Sequence, residues 1–427
     1  MGADVIRGCM VVFSHYPADP RVRREAEALA DEGAELDVVC LAGPDELRRE
    51  TVRGVRVFRL PVERRRGGRL RYLLEYAAFL LLAFLKVSRL HLGRRYRLVH
   101  VHNMPDVLVF AALLPRLTGA RVVLDLHDPM PEVYMTKYGL GAGHPVIRVL
   151  RVLERCSIAF AHLVLTPNLA FRNLFVSRGC PPRKIDIVMN SPQESVFLQG
   201  RDAGGPGSAP AVRTSASPAF EGARRRAGTE PQPEVPGPDS RVLMYHGTIV
   251  ERHGLDTALL AVSRLREDIP ELRFHVYGDG DFVNDFRRLT AELGLGACVD
   301  YHGFVSLERI ANAIPDVDVG VVPNKRSPFT EINLPTRIFE YLALGKRVVA
   351  PRTRGVLDYF GEDALFLFEP GDAGSLAAAI RRALGPEDAW RPVLERGMAV
   401  YRRHRWEIER RHFVNRLRTV IDGGALA

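Results

Sequence analysis

SPFTEINLPTRIFEYLALGKRVVA, residues 327–350, reads as loop, helix, turn and strand in that order. Polar Thr330, Glu331 and Asn333 come first, followed by Leu334 and then Pro335, placed where a first helical turn tolerates a missing N–H. Arg337, Glu340 and Tyr341 then recur at three- and four-residue spacing, so they share one helix face. Gly345 stops the helix, and the apolar run 347–350 enters a sheet as a buried strand. Unpaired amides and the positive dipole end make the start of such a helix a ready place for an anion. An arginine beside two carboxylates adds a hydroxyl-binding end to that anion site. The stretch thus suits a ligand with one phosphate end and one hydroxyl-rich end, as a nucleotide sugar has.

Working outward, the same alternation of strand and helix runs through both halves of the chain, the signature of parallel sheets wrapped by helices. In the first half the apolar patterning predicts strands over 9–14, 35–41, 55–61, 98–102, 121–126, 162–166 and 185–189. Helices are predicted over 21–32, 106–117, 145–161 and 168–178. Composition then shifts: from about residue 200 to 240 the chain is rich in Gly, Pro, Ala and Ser and has no apolar period, which predicts a disordered linker. Beyond it, strands are expected over 241–246, 272–277, 298–301, 317–322, 347–350 and 365–368. The expected organisation is a doubly wound domain at 1–195, a linker at 196–240 and a second doubly wound domain at 241–395. A basic helix at 396–427 is expected to pack back on the first domain.

The totals agree with a folded, two-domain chain. Its 427 residues are 46% apolar and 26% charged, too apolar for a disordered polypeptide. The net charge of +9 comes from arginine more than lysine, which suits phosphate, carboxylate or anionic lipid. Nucleic acid is set aside because no binding motif for it occurs. Five cysteines without paired spacing argue against a disulfide framework or zinc cluster. The expected compartment is the reducing cytoplasm, with the inner face of the plasma membrane as an alternative, and no secretory signal core is expected in the strand-like start of the chain. One segment stands apart. Residues 70–91, after the basic run at 63–69, carry an apolar stretch too short to span a bilayer. It is either a core helix or an interfacial one with Arg64, Arg65, Arg66, Arg69 and Arg71 on anionic headgroups.

Ligands of open parallel sheets bind beyond the carboxyl ends of the strands, so the loops that follow strands hold the candidate site. After 241–246, Gly247 permits close backbone approach, and Arg252 and His253 are cations for a diphosphate. Gly278 opens a GDGD turn, and Phe304 with Val305 can present backbone groups to a base edge. In the first domain, His102 and Asn103 follow one strand, and His127, Asp128 and Glu132 follow the next. Asp19 and Arg21 stand at a helix start, where Asp19 is either a cap or a site group. His100 and His102 form a pair with no third ligand evident, so no metal site is expected. No GxSxG elbow, Walker loop or HExxH occurs.

Taken together, YPADPRVRREAEAL, HNMPDVL, DLHDPMPE, YHGTIVERHG and LPTRIFEYLALGKRVVA resemble the family-four retaining glycosyltransferases, in the branch that builds bacterial surface polysaccharides or glycosylates small molecules. The resemblance covers nearly the whole chain outside 200–240. It implies a GT-B fold, two facing Rossmann-like domains, with a UDP- or GDP-sugar held by the second and a lipid-linked or small-molecule acceptor by the first. It implies no bound cofactor and no metal. Glu340 matches the second glutamate of the family's Glu–seven residues–Glu motif, with ribose binding as its implied role. The first, sugar-contacting glutamate would fall at Ile332, while Glu331 lies one residue early, so Glu331, Asn333 or a backbone amide takes that contact. The family's Arg and Lys align with Thr248 and His253, which leaves Arg252 and Arg337 for the diphosphate. His127 matches the histidine that contacts the transferred sugar. The competing expectations are a nucleotide-sugar epimerase of the same architecture and a non-catalytic membrane-surface scaffold.

Overall fold

A computed structural model of the chain describes residues 5–43, 46–62, 69–198 and 241–423. Most of the expected linker, the basic run at 63–68 and the side chains of Arg69 and Arg71 lie outside the described residues. The first sheet holds eight strands: β1 Arg7–Val11, β2 Glu35–Leu41, β3 Arg49–Val52, β4 Val55–Leu60, β5 Leu98–His102, β6 Arg121–Asp125, β7 Leu163–Thr166 and β8 Ile185–Ile187. Their order is β3-β4-β2-β1-β5-β6-β7-β8, all parallel except the β3–β4 pair. The second sheet is parallel in the order β11-β10-β9-β12-β13-β14. Its strands are β9 Arg241–His246, β10 Leu272–Tyr277, β11 Val299–Gly303, β12 Val319–Val321, β13 Arg347–Pro351 and β14 Phe366–Phe368. Strands covered on both faces need apolar residues throughout, and β1, β5 and β9 are buried almost end to end.

Each sheet reverses its strand order once, between β1 and β5 and between β9 and β12. Loops from neighbouring strands diverge there, which leaves a crevice at the carboxyl ends. One crevice gathers the loops after Val11 and His102, the other those after His246 and Val321. The helix Pro20–Asp31 starts at the first crevice because Asp19 Oδ1 accepts from the Arg21 and Val22 amides at 3.2 and 3.4 Å, with Pro20 at its first position.

Four local features differ from the sequence reading or go beyond it. Residues 106–117 are not one α-helix: a 3-10 helix over Asp106–Ala112 turns into an α-helical stretch at Leu113–Leu117, where Pro115 cannot supply the amide of a continuous ladder. HDPMPE is not all loop, since Pro131 fits a first helical turn and the helix Met130–Tyr138 runs to Gly139 at φ +64°. The polar, half-exposed β3 forms the sheet's antiparallel edge, where charge protects against further pairing. Residues 196 and 197 belong to the short helix Glu194–Phe197, whose Phe197 packs with Met189 in the second domain's core.

The chain ends in two helices. Glu387–Arg403 lies on the second domain, and Trp406–Ile421 crosses to the first. There Trp406, Phe413, Val414, Leu417 and Val420 share a core with Met10, Val22 and Leu29. Glu409 Oε2 also accepts from the Met189 amide at 3.0 Å. Nearer the cleft, Phe329 of the second domain sits in the first domain's core beside Phe171, and its amide donates to Thr136 Oγ1 at 3.1 Å. The Leu169 amide donates to the Tyr359 hydroxyl at 2.9 Å.

Candidate active site

The second domain's crevice is built on close-packed glycines. A Cβ at Gly278 would lie 1.8 Å from the Gly247 carbonyl oxygen, and one at Gly280 would lie 2.1 Å from that of Ile249. Only glycine lets the β9 and β10 crests approach this far. Gly247 itself, at φ +128°, has the Arg337 guanidinium where a side chain would stand, with Nη2 2.9 Å from that point. Arg337 lies over the Tyr245 ring at 4.6 Å, and its buried Nη1 has no hydrogen-bond partner among the described residues. Such a cation, held by a ring face and short of acceptors, is poised for an anion. The helix Arg337–Ala343 is only seven residues long and has no side-chain cap, so the guanidinium rather than the helix dipole supplies the positive charge.

On the same helix face Glu340 is nearly enclosed, with 13% of its side chain exposed and Oε2 3.2 Å from His246 Nε2. Burial raises its carboxyl to about 7, against the opposing pull of Arg337 and of Arg24 from the first domain. Burial, with Arg337 close by, also pushes His246 down to about 3, so the imidazole is neutral. A carboxylate beside a neutral imidazole is an acceptor for a pair of hydroxyls.

Arg252 stands in the wall of a cleft of about 670 Å³ between the domains. Its guanidinium lies 5.8 Å from the Phe329 ring, and it feels the charges of Asp128 across the cleft and of Asp281. His253, expected as a second cation, is instead structural. It is buried, its Nδ1 is 2.7 Å from the Thr248 carbonyl and 3.2 Å from the Tyr245 hydroxyl, and burial with the nearby Arg337 and Arg252 charges lowers it to about 3. Glu331 also departs from expectation. Its carboxylate pairs with Arg326 and accepts from the Arg354 amide at 3.2 Å, which holds it in the loop rather than in the cleft wall.

Across the cleft, Asp128, Tyr76 and Met104 line both this cavity and a smaller recess of about 150 Å³ reaching Asp19 and His127. Asn103 ties the recess together. Its Nδ2 donates to Asp106 Oδ1 at 2.9 Å and to the Asp128 carbonyl at 2.7 Å, while its Oδ1 accepts from the His127 amide at 3.1 Å. Burial raises the Asp128 carboxyl to about 6, with Arg21 and Arg252 opposing. His127 Nδ1 lies 3.8 Å from Asp125 Oδ2, which also faces His102 Nδ1 at 3.2 Å and Arg21 at 3.9 Å. Glu132 does not reach the cleft, because Arg178 takes it into a buried pair with Glu154.

The pair His100 and His102 has more company than its spacing suggested. Glu25 and Asp125 join them, with one ligand-capable atom from each of the four lying within 4.8 Å of the others. That corrects the expectation of no third partner. Arg21 stands beside Asp125 and Arg24 beside Glu25, so the two carboxylates are already offset by two guanidiniums. Burial opposes a charge on His102, yet its bond to Asp125 and the Glu25 charge outweigh that and raise it; burial drives His100 well down. The cluster reads as a charge-balanced network that orients Asp125 behind His127.

Of the remaining expected residues, Leu334 and Pro335 are buried and Asn333 packs its backbone against Gly355. Val305 is half-buried, and Phe304 is 60% exposed after β11. Sequence reasoning missed Lys325, Arg326, Ser327 and Phe329, and on the facing wall Tyr134, Thr136 and Lys137. The second-domain four follow β12 directly, so the rule that ligands gather after strands would have found them. The wall from the helix Met130–Tyr138 carried no such signal.

Two family models match the chain: a glycosyl transferase 4-like domain over residues 18–191 and glycosyl transferases group 1 over residues 240–385. A sulfoquinovosyl transferase of Arabidopsis thaliana is 25% identical over 294 residues, covering 67% of this chain and 49% of that protein. The match to a lipopolysaccharide core biosynthesis glycosyltransferase of Rhizobium meliloti is 30% identical and covers 37% of this chain and 44% of the relative, so these two curated relatives are each spanned over about half their length or less. A 2-deoxystreptamine glucosyltransferase of Streptomyces kanamyceticus is 24% identical, with 85% of this chain and 88% of the relative covered. Among solved structures, sucrose-phosphate synthase from Thermosynechococcus elongatus superposes with a TM-score of 0.73 at 18% identity, covering 98% and 100% of the two chains. Anabaena HepE in complex with UDP gives 0.65 at 15% identity, covering 97% and 100%.

Proposed function

Because the chain belongs to the family-four glycosyltransferases of GT-B architecture, we propose that it moves a sugar from a nucleoside-diphosphate donor to a hydroxyl acceptor. The observation that carries this reading is the Arg337–Glu340 pair: an unsatisfied cation for a diphosphate and, on the same helix face, a buried carboxylate for ribose hydroxyls. The donor lies with its diphosphate against Arg337 and Arg252 and its sugar directed at His127 and Asp128. The acceptor hydroxyl enters from the first domain's recess.

In the reaction the bond between the anomeric carbon and the diphosphate oxygen breaks, and the acceptor oxygen bonds to that carbon. Negative charge grows on the departing nucleoside diphosphate, where preorganised guanidiniums stabilise it without reorganisation. These two arginines take the place of a metal ion. On family analogy the configuration is retained, and the acceptor's proton passes to the leaving phosphate on the same face. The epimerase alternative is not favoured, since both family models describe transferases. The proposed compartment is the reducing cytoplasm.

Nucleoside diphosphate release across a panel of UDP-, GDP- and ADP-sugars tests the proposal, with anomeric configuration read by NMR in any product. Release that falls strongly in Glu340→Ala is expected. No release with any donor, whether or not a lipid or sugar acceptor is supplied, contradicts it.

A further inference from the structure

Most of the large apolar side chains that the described residues expose fall on one face of the first domain. Of fifteen such side chains, ten lie on three neighbouring helical segments. On the helix Arg69–Arg94, Leu74, Leu81, Leu85 and Leu92 are 54–72% exposed and recur at intervals of seven, four and seven residues, so they form one outward stripe. Phe79, Ala83, Val87 and His91 are buried on the opposite side. The helix is therefore core on one face and apolar surface on the other, and its stretch Leu74–Arg94, at 21 residues, is by length and composition long and apolar enough to cross a bilayer, which corrects the expectation that it is too short. Leu113 and Leu117 continue the exposed surface on the segment between, which packs against both flanking helices. The helix Pro145–Phe160 completes it with Val146, Val149, Val152 and Leu153. A helix facing only water would carry polar residues there.

The charges around this surface have one sign. Among the described residues of the three segments, the charged side chains that are exposed are Arg89, Arg148 and Arg155. Asp106 and Glu154 are buried and Glu75 is half-buried with a partner. Leucines and valines fringed by arginines complement a bilayer interface with anionic headgroups. A second copy of the chain fits less well. A two-fold contact through this face would bring together two surfaces whose exposed charges are all arginine, and like charges brought together at an interface cost affinity.

We propose that this face seats the protein on an anionic bilayer surface. The seat adjoins the cleft. Tyr76, near the start of the first helix, lines both cavities, and the helix Met130–Tyr138, which lines the larger one, packs against the helix Pro145–Phe160. Seated so, the first-domain wall of the cleft lies next to the membrane, where an acceptor hydroxyl borne on a lipid is presented. The docking itself does not depend on the proposed transfer reaction and is read without it.

The test is co-flotation of the full chain with phosphatidylcholine vesicles, with and without about one-third phosphatidylglycerol, in low and high salt. Flotation with the anionic vesicles, weakened by salt, is expected. Leu81→Glu/Leu85→Glu/Val149→Glu should reduce it about tenfold or more, since each charge placed in the interface opposes insertion. Arg89→Ala/Arg148→Ala/Arg155→Ala should remove the preference for anionic vesicles. Nucleoside diphosphate affinity should be unchanged in both variants, as evidence of an intact fold. Three outcomes overturn the proposal: no flotation of the wild-type chain, flotation that both variants share unchanged, or a wild-type dimer in sedimentation that the glutamate variant dissociates.

Discussion

At the residue scale, Glu340 and His246 give the site a pH dependence whose sign can be worked out. Burial raises Glu340 to about 7, and the ribose hydroxyls proposed to bind there would donate to its ionised form. Binding therefore releases a proton below pH 7, and nucleoside diphosphate affinity rises with pH by up to about tenfold per unit until it levels off above 7. Glu340→Gln should flatten that profile and lower the plateau, and a calorimetric titration at several pH values reads both effects. Stability is a poorer readout. The raised Glu340 contributes stability that is lost as pH rises from 4.5 towards 7, while the depressed His246 contributes stability that is lost as pH falls from 6.5 towards 3. The two slopes oppose over their shared range. Glu331 illustrates how far a residue can be read from its spacing. Its position beside the motif made it a candidate for the sugar, but Arg326 and Arg354 occupy it from within the loop. Glu331→Gln is expected to leave donor turnover within about threefold of wild type, the change that a partly exposed ion pair is worth.

At the scale of elements, the strands that end in the cleft were legible because burial on both faces demands unbroken apolar runs, as in VLMYH of β9 and VHVH of β5. What misled was local. Pro115 divides an apolar stretch that looks like one helix, and the half-exposed ETV of β3 has no pattern that distinguishes an edge strand from a loop. The glycines at 278 and 280 read as turn formers, whereas their use is clearance between two strand crests. Gly280→Ala should accordingly destabilise the chain by about 2 kcal/mol or more and blunt nucleotide binding, both readable from a thermal melt with and without nucleoside diphosphate. The last helix is equally open to test. Phe413 is fully buried against β1 and β5, and Phe413→Ala should cost about 3–5 kcal/mol. A melting temperature unmoved by that substitution would show that the helix is not docked.

At the scale of the whole molecule, two doubly wound domains are held face to face by contacts that no single stretch of sequence announces. Phe329 enters the first domain's core from the second, Tyr359 meets the Leu169 amide, and the helix Trp406–Ile421 returns to the domain where the chain began. These contacts are invisible to periodicity because they join residues far apart in the chain, which is also why the facing wall of the cleft was missed. They predict one cooperative unfolding transition, and truncation after residue 405 should split it into two in differential scanning calorimetry. The cleft they define carries Arg252, Lys325 and Arg326 on the second domain and Asp128 with Lys137 on the first, and the recess holding His127 adjoins it, an arrangement that suits a phosphorylated donor and a hydroxyl acceptor. Arg337 and Glu340 are proposed to hold the diphosphate and ribose of that donor. Isothermal titration of UDP, GDP and ADP into wild-type chain and Arg337→Ala tests it most directly. Binding of at least one of them is expected, weakened by about 1.5–3 kcal/mol in the variant, the worth of a charge-assisted hydrogen bond. Equal affinity in the two proteins, or no binding of any nucleoside diphosphate, would contradict it.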